Sequence, residues 1–263
     1  MTKLGALGAA LNTAEPEAAV ATAVELEELG YDTLWLPGGQ GNSLPLIAEV
    51  VHGTRRIPVA SGILSIDRVP AAEVARAYLD LPAGRFVAGL GGAHGPRPLA
   101  ALNDYLDEID DVVPASARML SALGPKMLEL SRARAAGAYP FLVTTDYVAS
   151  AREILGADAQ LAVLLTVVAE TDAAAAREVV RGGSLRFLSG VPGYANNFRR
   201  MGFTDADVAD LSDRLVDGVT VWGDFDAVVA RLREYRDAGA DQVVVQLDGL
   251  PDEWRAGLAE ALR

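Results

Sequence analysis

Leu29–Pro37 reads LGYDTLWLP. A helical spacing of apolar residues, Val20, Val24 and Leu26–Leu29, runs into it, and Gly30 stops that spacing. Tyr31 and Asp32 then lead into Thr33–Leu36, a short run apolar enough to be covered on both faces of a sheet. The same helix-Gly-x-Asp-strand junction recurs at Gly239-Ala240-Asp241, ahead of Gln242–Leu247 (QVVVQL). Glycine at such a junction supplies the left-handed cap that ends a helix. One junction used near both ends of the chain points to a repeated strand-helix unit.

Between the two copies the unit can be followed throughout. Strand candidates are Leu4–Ala10, Thr33–Leu36, Pro58–Leu64, Arg85–Leu90, Met119–Leu123, Tyr139–Thr144, Leu161–Val168 and Gln242–Leu247. Helical patterns separate them: one opened by Thr13, Glu15 and Pro16, then Leu44–Val51, Ala71–Leu81 and Leu99–Val112. The next runs from Gly124-Pro125 to Ala136 with Gly137 as its stop, and the next over Asp146–Leu155. Asp224–Ala238 and Pro251–Leu262 close the chain, and Glu170–Gly223 holds two or three further helical patterns. Eight apolar strands, each followed by helix, in 263 residues predict a TIM (β/α)8 barrel as a single domain over 1–263, with an insertion after the seventh strand. A doubly wound sheet is the alternative. In a barrel the Gly-x-Asp junctions belong to the face that serves stability, and chemistry belongs to the strands' carboxyl ends.

Composition narrows the chemistry. Asp plus Glu number 36 and Lys plus Arg 23, a net charge of −13, which argues against a sequence-independent grip on nucleic-acid phosphates. There is no cysteine, so disulfides, thiolate nucleophiles and thiolate metal sites are excluded. Two histidines leave little for a zinc site. Met1–Ala10 lacks the charged and apolar regions of a signal peptide, and no apolar run has the length of a membrane span, so a cytoplasmic protein is expected. Enrichment in Ala, Asp and Arg is that of a GC-rich bacterial genome. No Ser-His-Asp order, H-E-x-x-H, Walker A or close carboxylate pair occurs.

The segments after the strands hold the candidate site residues. Pro37-Gly38-Gly39-Gln40-Gly41-Asn42 is either a flexible connector or a place where backbone approaches a flat ligand, with Gly38 and Gly39 as its contacts. Arg68, in Ser61-Gly62-Ile63-Leu64-Ser65-Ile66-Asp67-Arg68, either meets an anion or is a surface partner of Asp67. Gly89-Leu90-Gly91-Gly92-Ala93-His94-Gly95 falls short of a dinucleotide fingerprint, because His94 stands at the third glycine and Pro96 delays the helix. His94 sits where barrel enzymes place functional groups, whereas His52 reads as a helix-end residue. Gly124-Pro125-Lys126 is a helix start with free N–H groups and a cation, suited to phosphate or carboxylate, or simply a capped helix. Thr144-Thr145-Asp146-Tyr147 offers hydroxyls and a phenol, with Thr145 and Asp146 explained by capping of the next helix, and Asn196-Asn197 beside Arg199-Arg200 either binds a polar ligand or caps.

Taken in order, Leu29–Pro37, Ile57–Pro70 (IPVASGILSIDRVP), Gly84–His94 (GRFVAGLGGAH), Ala122–Gly137 (ALGPKMLELSRARAAG), Tyr139–Thr144 (YPFLVT) and Tyr194–Phe203 (YANNFRRMGF) resemble the bacterial luciferase-like monooxygenase superfamily. The likeness is greatest to its deazaflavin-dependent oxidoreductases. The resemblance implies a TIM barrel whose insertion after the seventh strand helps cover the site. It also implies a flavin or 5-deazaflavin ring, FMN or coenzyme F-420, lying across the strand ends.

By the same resemblance a non-proline cis peptide falls at Gly62-Ile63. Gly91, Gly92, Ala93 and His94 would meet the ring or ribityl chain, and Leu123, Gly124, Pro125 and Lys126 the tail or its phosphate. The family's acid-His pair after the second strand falls here on Gly38 and Gly39, so proton transfer passes to His94 or to the substrate, or turnover is lost. Arg68, Arg97, Arg118 and Lys126 would have to form a positive lane for an anionic tail.

The reading is therefore an oxidoreductase exchanging hydride between coenzyme F-420 and a small organic substrate. An FMN monooxygenase with a flavin reductase partner is the alternative, and a degenerate, non-catalytic flavin-binding barrel another. A cofactor-free lyase or isomerase would have only Lys126 to work with. Relatives often pair through barrel helices, so a homodimer is expected.

Overall fold

The structure, a computed structural model, describes residues 4–12, 15–38, 41–93 and 95–263. The strands are β1 (Leu7–Ala10), β2 (Thr33–Leu36), β3 (Val59–Ser61), β4 (Leu64–Ser65), β5 (Phe86–Gly91), β6 (Arg118–Leu120), β7 (Gly137–Ala138), β8 (Gln160–Leu165), β9 (Val167–Val168), β10 (Val221–Trp222) and β11 (Gln242–Gln246). All pairings are parallel. β1 pairs with both β2 and β11, and β3 with both β2 and β5, so the sheet closes on itself. β3 and β4 are two halves of one barrel strand, interrupted at Gly62-Ile63, and both lie along β5. Eight barrel strands result, as the sequence predicts.

The barrel's helices are α1 (Pro16–Leu29), α2 (Leu44–Gly53), α3 (Ala71–Asp80), α4 (Pro98–Ile109), α5 (Pro125–Arg134) and α6 (Thr145–Leu155). The insertion contributes α7 (Ala173–Gly182), α8 (Ser184–Leu188), α9 (Pro192–Arg200), α10 (Asp205–Asp210) and α11 (Asp213–Val219); α12 (Phe225–Asp237) and α13 (Asp252–Ala261) complete the outer ring. No helix among the described residues is long and apolar enough to cross a membrane.

Side chains alternate along the strands. Leu34 and Leu36 face the helices, while Trp35 turns inward with Ala60, Val87, Met119, Tyr139, Ala162 and Val244 to fill the barrel. Leu4 plugs the amino-terminal end: its N–H donates to Gln160 Oε1 at 2.9 Å, and its carbonyl accepts from Thr33 Oγ1 at 2.7 Å and from Gln242 Nε2.

The Gly-x-Asp junctions do the work expected of that face. Gly30 and Gly239 end their helices at φ of 90° and 115°. Asp32 Oδ2 accepts the N–H groups of Ala6 (2.8 Å) and Leu7 (3.0 Å), and Asp241 Oδ2 accepts that of Leu161 (2.7 Å), so each aspartate ties down the start of a neighbouring strand. Nearby, the buried Glu27 accepts N–H bonds from Arg55, Arg56 and Ile57 at 3.0, 2.6 and 2.8 Å. Burial alone would raise the Glu27 carboxyl, but those donors outweigh it and hold it below its ordinary value.

Two expectations are corrected. The sixth barrel strand is Gly137–Ala138, ahead of the predicted Tyr139–Thr144, where only an isolated bridge joins Phe141 to Leu164. Pro140 has no N–H for the ladder and Leu142 adopts φ of 56°, so the pairing stops there. Gly137 is thus a strand residue, not a helix stop; a Cβ on it would run into the Gln160 carbonyl of the adjacent strand. The insertion holds five helices where two or three patterns were read, because α8, α10 and α11 are too short to show a period.

That insertion has a core of its own, built on Phe198, Phe203, Leu211, Leu215 and Val216. Arg177 bridges Asp213 (2.8 Å) and Asp217 (2.6 Å) across it. β9 and β10 pair at its base, joining the point where the chain leaves the barrel to the point where it returns.

Candidate functional site

The carboxyl ends of the strands form a shallow floor. Gly62-Ile63 is a cis peptide, at the position expected. The Ile63 carbonyl lies against Gly38 so closely that a Cβ there would overlap it, and Ile63 Cδ1 lies 3.4 Å from where a Cβ on Gly91 would stand. Gly38 and Gly91 are thus what let the interrupted strand sit flat. The half-buried Ile63 gives the floor an apolar shelf.

Beneath the shelf, Tyr139 follows β7 and stacks on Trp35, with ring centroids 3.9 Å apart and planes parallel. Trp35 Nε1–H donates to Gln242 Oε1 at 2.9 Å, which fixes the indole. The Tyr139 hydroxyl is 3.2 Å from where a Cβ on Gly62 would stand. Tyr194 of α9 acts on Tyr139 electrostatically, so the insertion brings a second phenol to the same mouth. Burial pushes both phenols well above the usual tyrosine value, and both stay neutral donors near pH 7. At the rim, Thr166 Oγ1 donates to Gln246 Oε1 at 2.6 Å, joining the ends of β8 and β11.

A separate groove of about 230 Å³ lies between α5, α6 and α9, lined by Leu123, Pro125, Tyr147, Asn197, Arg200 and Met201. The Arg200 guanidinium lies over Gly124, 3.4 Å from where a Cβ there would stand, and so covers the amino end of α5. Arg200 Nη1 donates to the buried Asn197 Oδ1 at 3.2 Å, and Arg199 pairs with Asp205 at 2.6 Å. Asn196 and Asn197 lie inside α9 and cap nothing. Tyr147 Oη donates to the carbonyls of Ala122 and Leu123 at 3.0 Å, holding the segment before α5. Lys126 is exposed in the first turn of α5.

The other sequence-derived residues fall as follows. Gly92 and Ala93 are half-buried at the end of β5. Arg68 is exposed in the turn after β4, where its N–H donates to Ser65 O at 3.0 Å. Gly39 and His94 lie outside the described residues. Arg118 stands apart from Arg68, Arg97 and Lys126: it is buried at the opposite end of the barrel, 2.7 Å from Asp110, and adds nothing to a positive lane. His52 is exposed in the last turn of α2. A cleft of about 640 Å³ on that opposite side is lined by Arg233, Arg236 and Arg263, and these hold the carbonyls of Ala261, Leu262 and Leu29.

Trp35 and Tyr139 are the contributors that residue-by-residue reading does not single out, whereas Arg200 is read there as one of the arginines beside Asn196-Asn197. Tyr139 carries no such signal, because the sequence reading makes it the first residue of a strand and only the structure puts it after one.

Comparison with known proteins gives the following. Residues 2–111 match the family model described as luciferase-like monooxygenase. The search of curated proteins finds no match. Among solved structures the chain is similar to the coenzyme F-420 dependent tetrahydromethanopterin reductase of Methanopyrus kandleri, at 16% identity and a TM-score of 0.75, over 98% of this chain and 97% of that one. It is similar to an F-420-dependent secondary alcohol dehydrogenase in complex with an F-420-acetone adduct, at 11% and 0.76, over 98% and 99%. It is also similar to the oxygenating constituent of 3,6-diketocamphane monooxygenase from Pseudomonas putida in complex with FMN, at 14% and 0.70, over 98% and 97%. These likenesses establish the fold along the whole chain.

Proposed function

We propose that this chain, whose residues 2–111 match the family model described as luciferase-like monooxygenase, is an oxidoreductase that seats a deazaflavin of the coenzyme F-420 type on the barrel mouth. It would exchange hydride with a small organic substrate. The observation that supports this reading is the Ile63 shelf at the carboxyl ends of the strands, with the Tyr139 and Tyr194 phenols beside it.

The residues present fit such a group. A flat, largely apolar ring calls for a flat apolar seat with a few polar contacts at its edge. A phosphorylated tail calls for free N–H groups and a cation. Ile63, Gly91 and Gly92 would form the seat; Gly124 and Pro125 at the start of α5, with Arg200 and Lys126, would hold the phosphate. When bound, the deazaflavin supplies the hydride chemistry. The chain orients the ring, and α9 shields it from water. The phenols act as donors that do not ionise near neutral pH.

The neighbour in complex with FMN supports a second reading, an FMN monooxygenase served by a reductase, since the start of α5 suits the phosphate of either cofactor. Titration of the purified protein with oxidised coenzyme F-420 and, separately, with FMN decides between them. The proposal expects saturable binding of coenzyme F-420. Preference for FMN moves the assignment to the monooxygenase. Binding of neither leaves a degenerate barrel, in which Gly38 and Gly39 mark a lost acid-His pair.

A further inference from the structure

Tyr139 sits where β7 ends, at the top of the side-chain stack that fills the barrel. Its ring is held by the parallel stack on Trp35, whose own orientation is set by Gln242. Gln242 is anchored in turn by the Leu4 carbonyl. The phenol therefore has one direction in which to point, up to Gly62.

The hydroxyl at its tip makes no hydrogen bond among the described residues. It is also not one of the sealed, unpartnered side-chain atoms found among them, which are Ser43 Oγ and Arg118 Nε. The residue is only 4% exposed. Its described neighbours include Gly62 and the Trp35 indole, which offer no acceptor side chain, and the Tyr194 phenol, to which it makes no hydrogen bond. A confined donor of this kind is costly to leave unmade and is completed by water or by a ligand. Gly38, at the end of β2, brings no side-chain donor to the same floor.

Resting on the function proposed above, we propose that the Tyr139 hydroxyl donates the hydrogen bond that fixes the polar edge of the cofactor ring on the Gly62-Ile63 shelf. This role falls to a residue on the barrel floor, at the end of the sixth barrel strand. Burial and the neighbouring Tyr194 phenol both keep the hydroxyl protonated, so the bond persists across the neutral pH range. The stack on Trp35 fixes the angle of the donor.

The test is Tyr139→Phe, which keeps the stack and removes only the donor. Variant and wild type are titrated with oxidised coenzyme F-420 and with FMN, reading both fluorescence and the absorption band of the bound ring. The expected result is binding weakened about five- to tenfold for the ring that the wild type takes, with a displaced absorption band. An unchanged Kd and band overturn the assignment while leaving the proposed function intact. A wild type that takes neither ring overturns the cofactor reading itself, and this inference with it. Should Tyr139→Phe fail to fold, fluorine NMR of the wild type labelled with 3-fluorotyrosine reads the same contact. A tyrosine resonance that moves on ring binding is expected, and resonances that all stay in place overturn the assignment.

Discussion

The indole of Trp35 and the phenol of Tyr139 lie parallel with 3.9 Å between their centroids, one from β2 and the other from just past β7. They come from opposite sides of the barrel and meet on its axis, so this pair closes the interior below the mouth. Trp35→Ala removes the lower partner and leaves Gln242 Oε1 without its donor. A loss of roughly 3–5 kcal/mol is expected, read as a lower urea midpoint. Retention of wild-type stability would show that the stack is not what fills the barrel.

Glu27 makes a pH-dependent contribution at the other end. Its carboxylate takes three backbone N–H groups and is held below its ordinary value of 4.5. The unfolded chain binds the proton more readily than the native one, so the stabilisation is complete above about 4.5. It fades as pH falls through the lower native value. Glu27→Gln is expected to cost roughly 2 kcal/mol at neutral pH, with the difference from wild type shrinking in acid. Urea denaturation at several pH values measures both, and a difference that stays constant with pH would contradict the argument.

Arg200 reaches from the insertion to the start of α5. Arg200→Ala is expected to weaken FMN binding about tenfold, as for loss of one charge-assisted contact to phosphate. Riboflavin, which lacks the phosphate, is expected to bind both proteins alike. An equal loss for the two ligands would assign Arg200 to packing against Asn197 instead.

Gly38 tests the seat. A Cβ there overlaps the Ile63 carbonyl, which is backbone and has little room to yield. Gly38→Ala should displace the shelf, lower stability by roughly 1–3 kcal/mol and weaken ring binding together. Thermal unfolding and the same titration check it, and a stable variant with unaltered binding would mean that β4 is free to shift.

The barrel was readable because its signals are local and repeated. Gly30-Tyr31-Asp32 and Gly239-Ala240-Asp241 use the same glycine cap and the same aspartate to bind a neighbouring strand's N–H groups. The sixth strand was misplaced because Tyr139–Thr144 has the composition of a strand, whereas pairing is decided by Pro140 and by the close approach of Gly137 to Gln160. Neither partner announces the other in the sequence. Within the site, Ile63 and Gly91 could be named through the family resemblance. Arg200 could be named as one of the arginines beside Asn196-Asn197, but not its meeting with Gly124, which depends on how α9 packs. Arg118 shows the converse: its charge suggested the mouth, and its position at the start of β6 puts it at the far end.

The parallel pairing of Val167–Val168 with Val221–Trp222 has an evolutionary consequence. It brings together the two ends of the α7–α11 excursion, which carries its own apolar centre. Lengthening or rebuilding that excursion would leave the separation of its endpoints unchanged, so the eight-stranded frame need not readjust. On the function proposed, change confined to that excursion would alter the cover of the mouth without moving the strands beneath it.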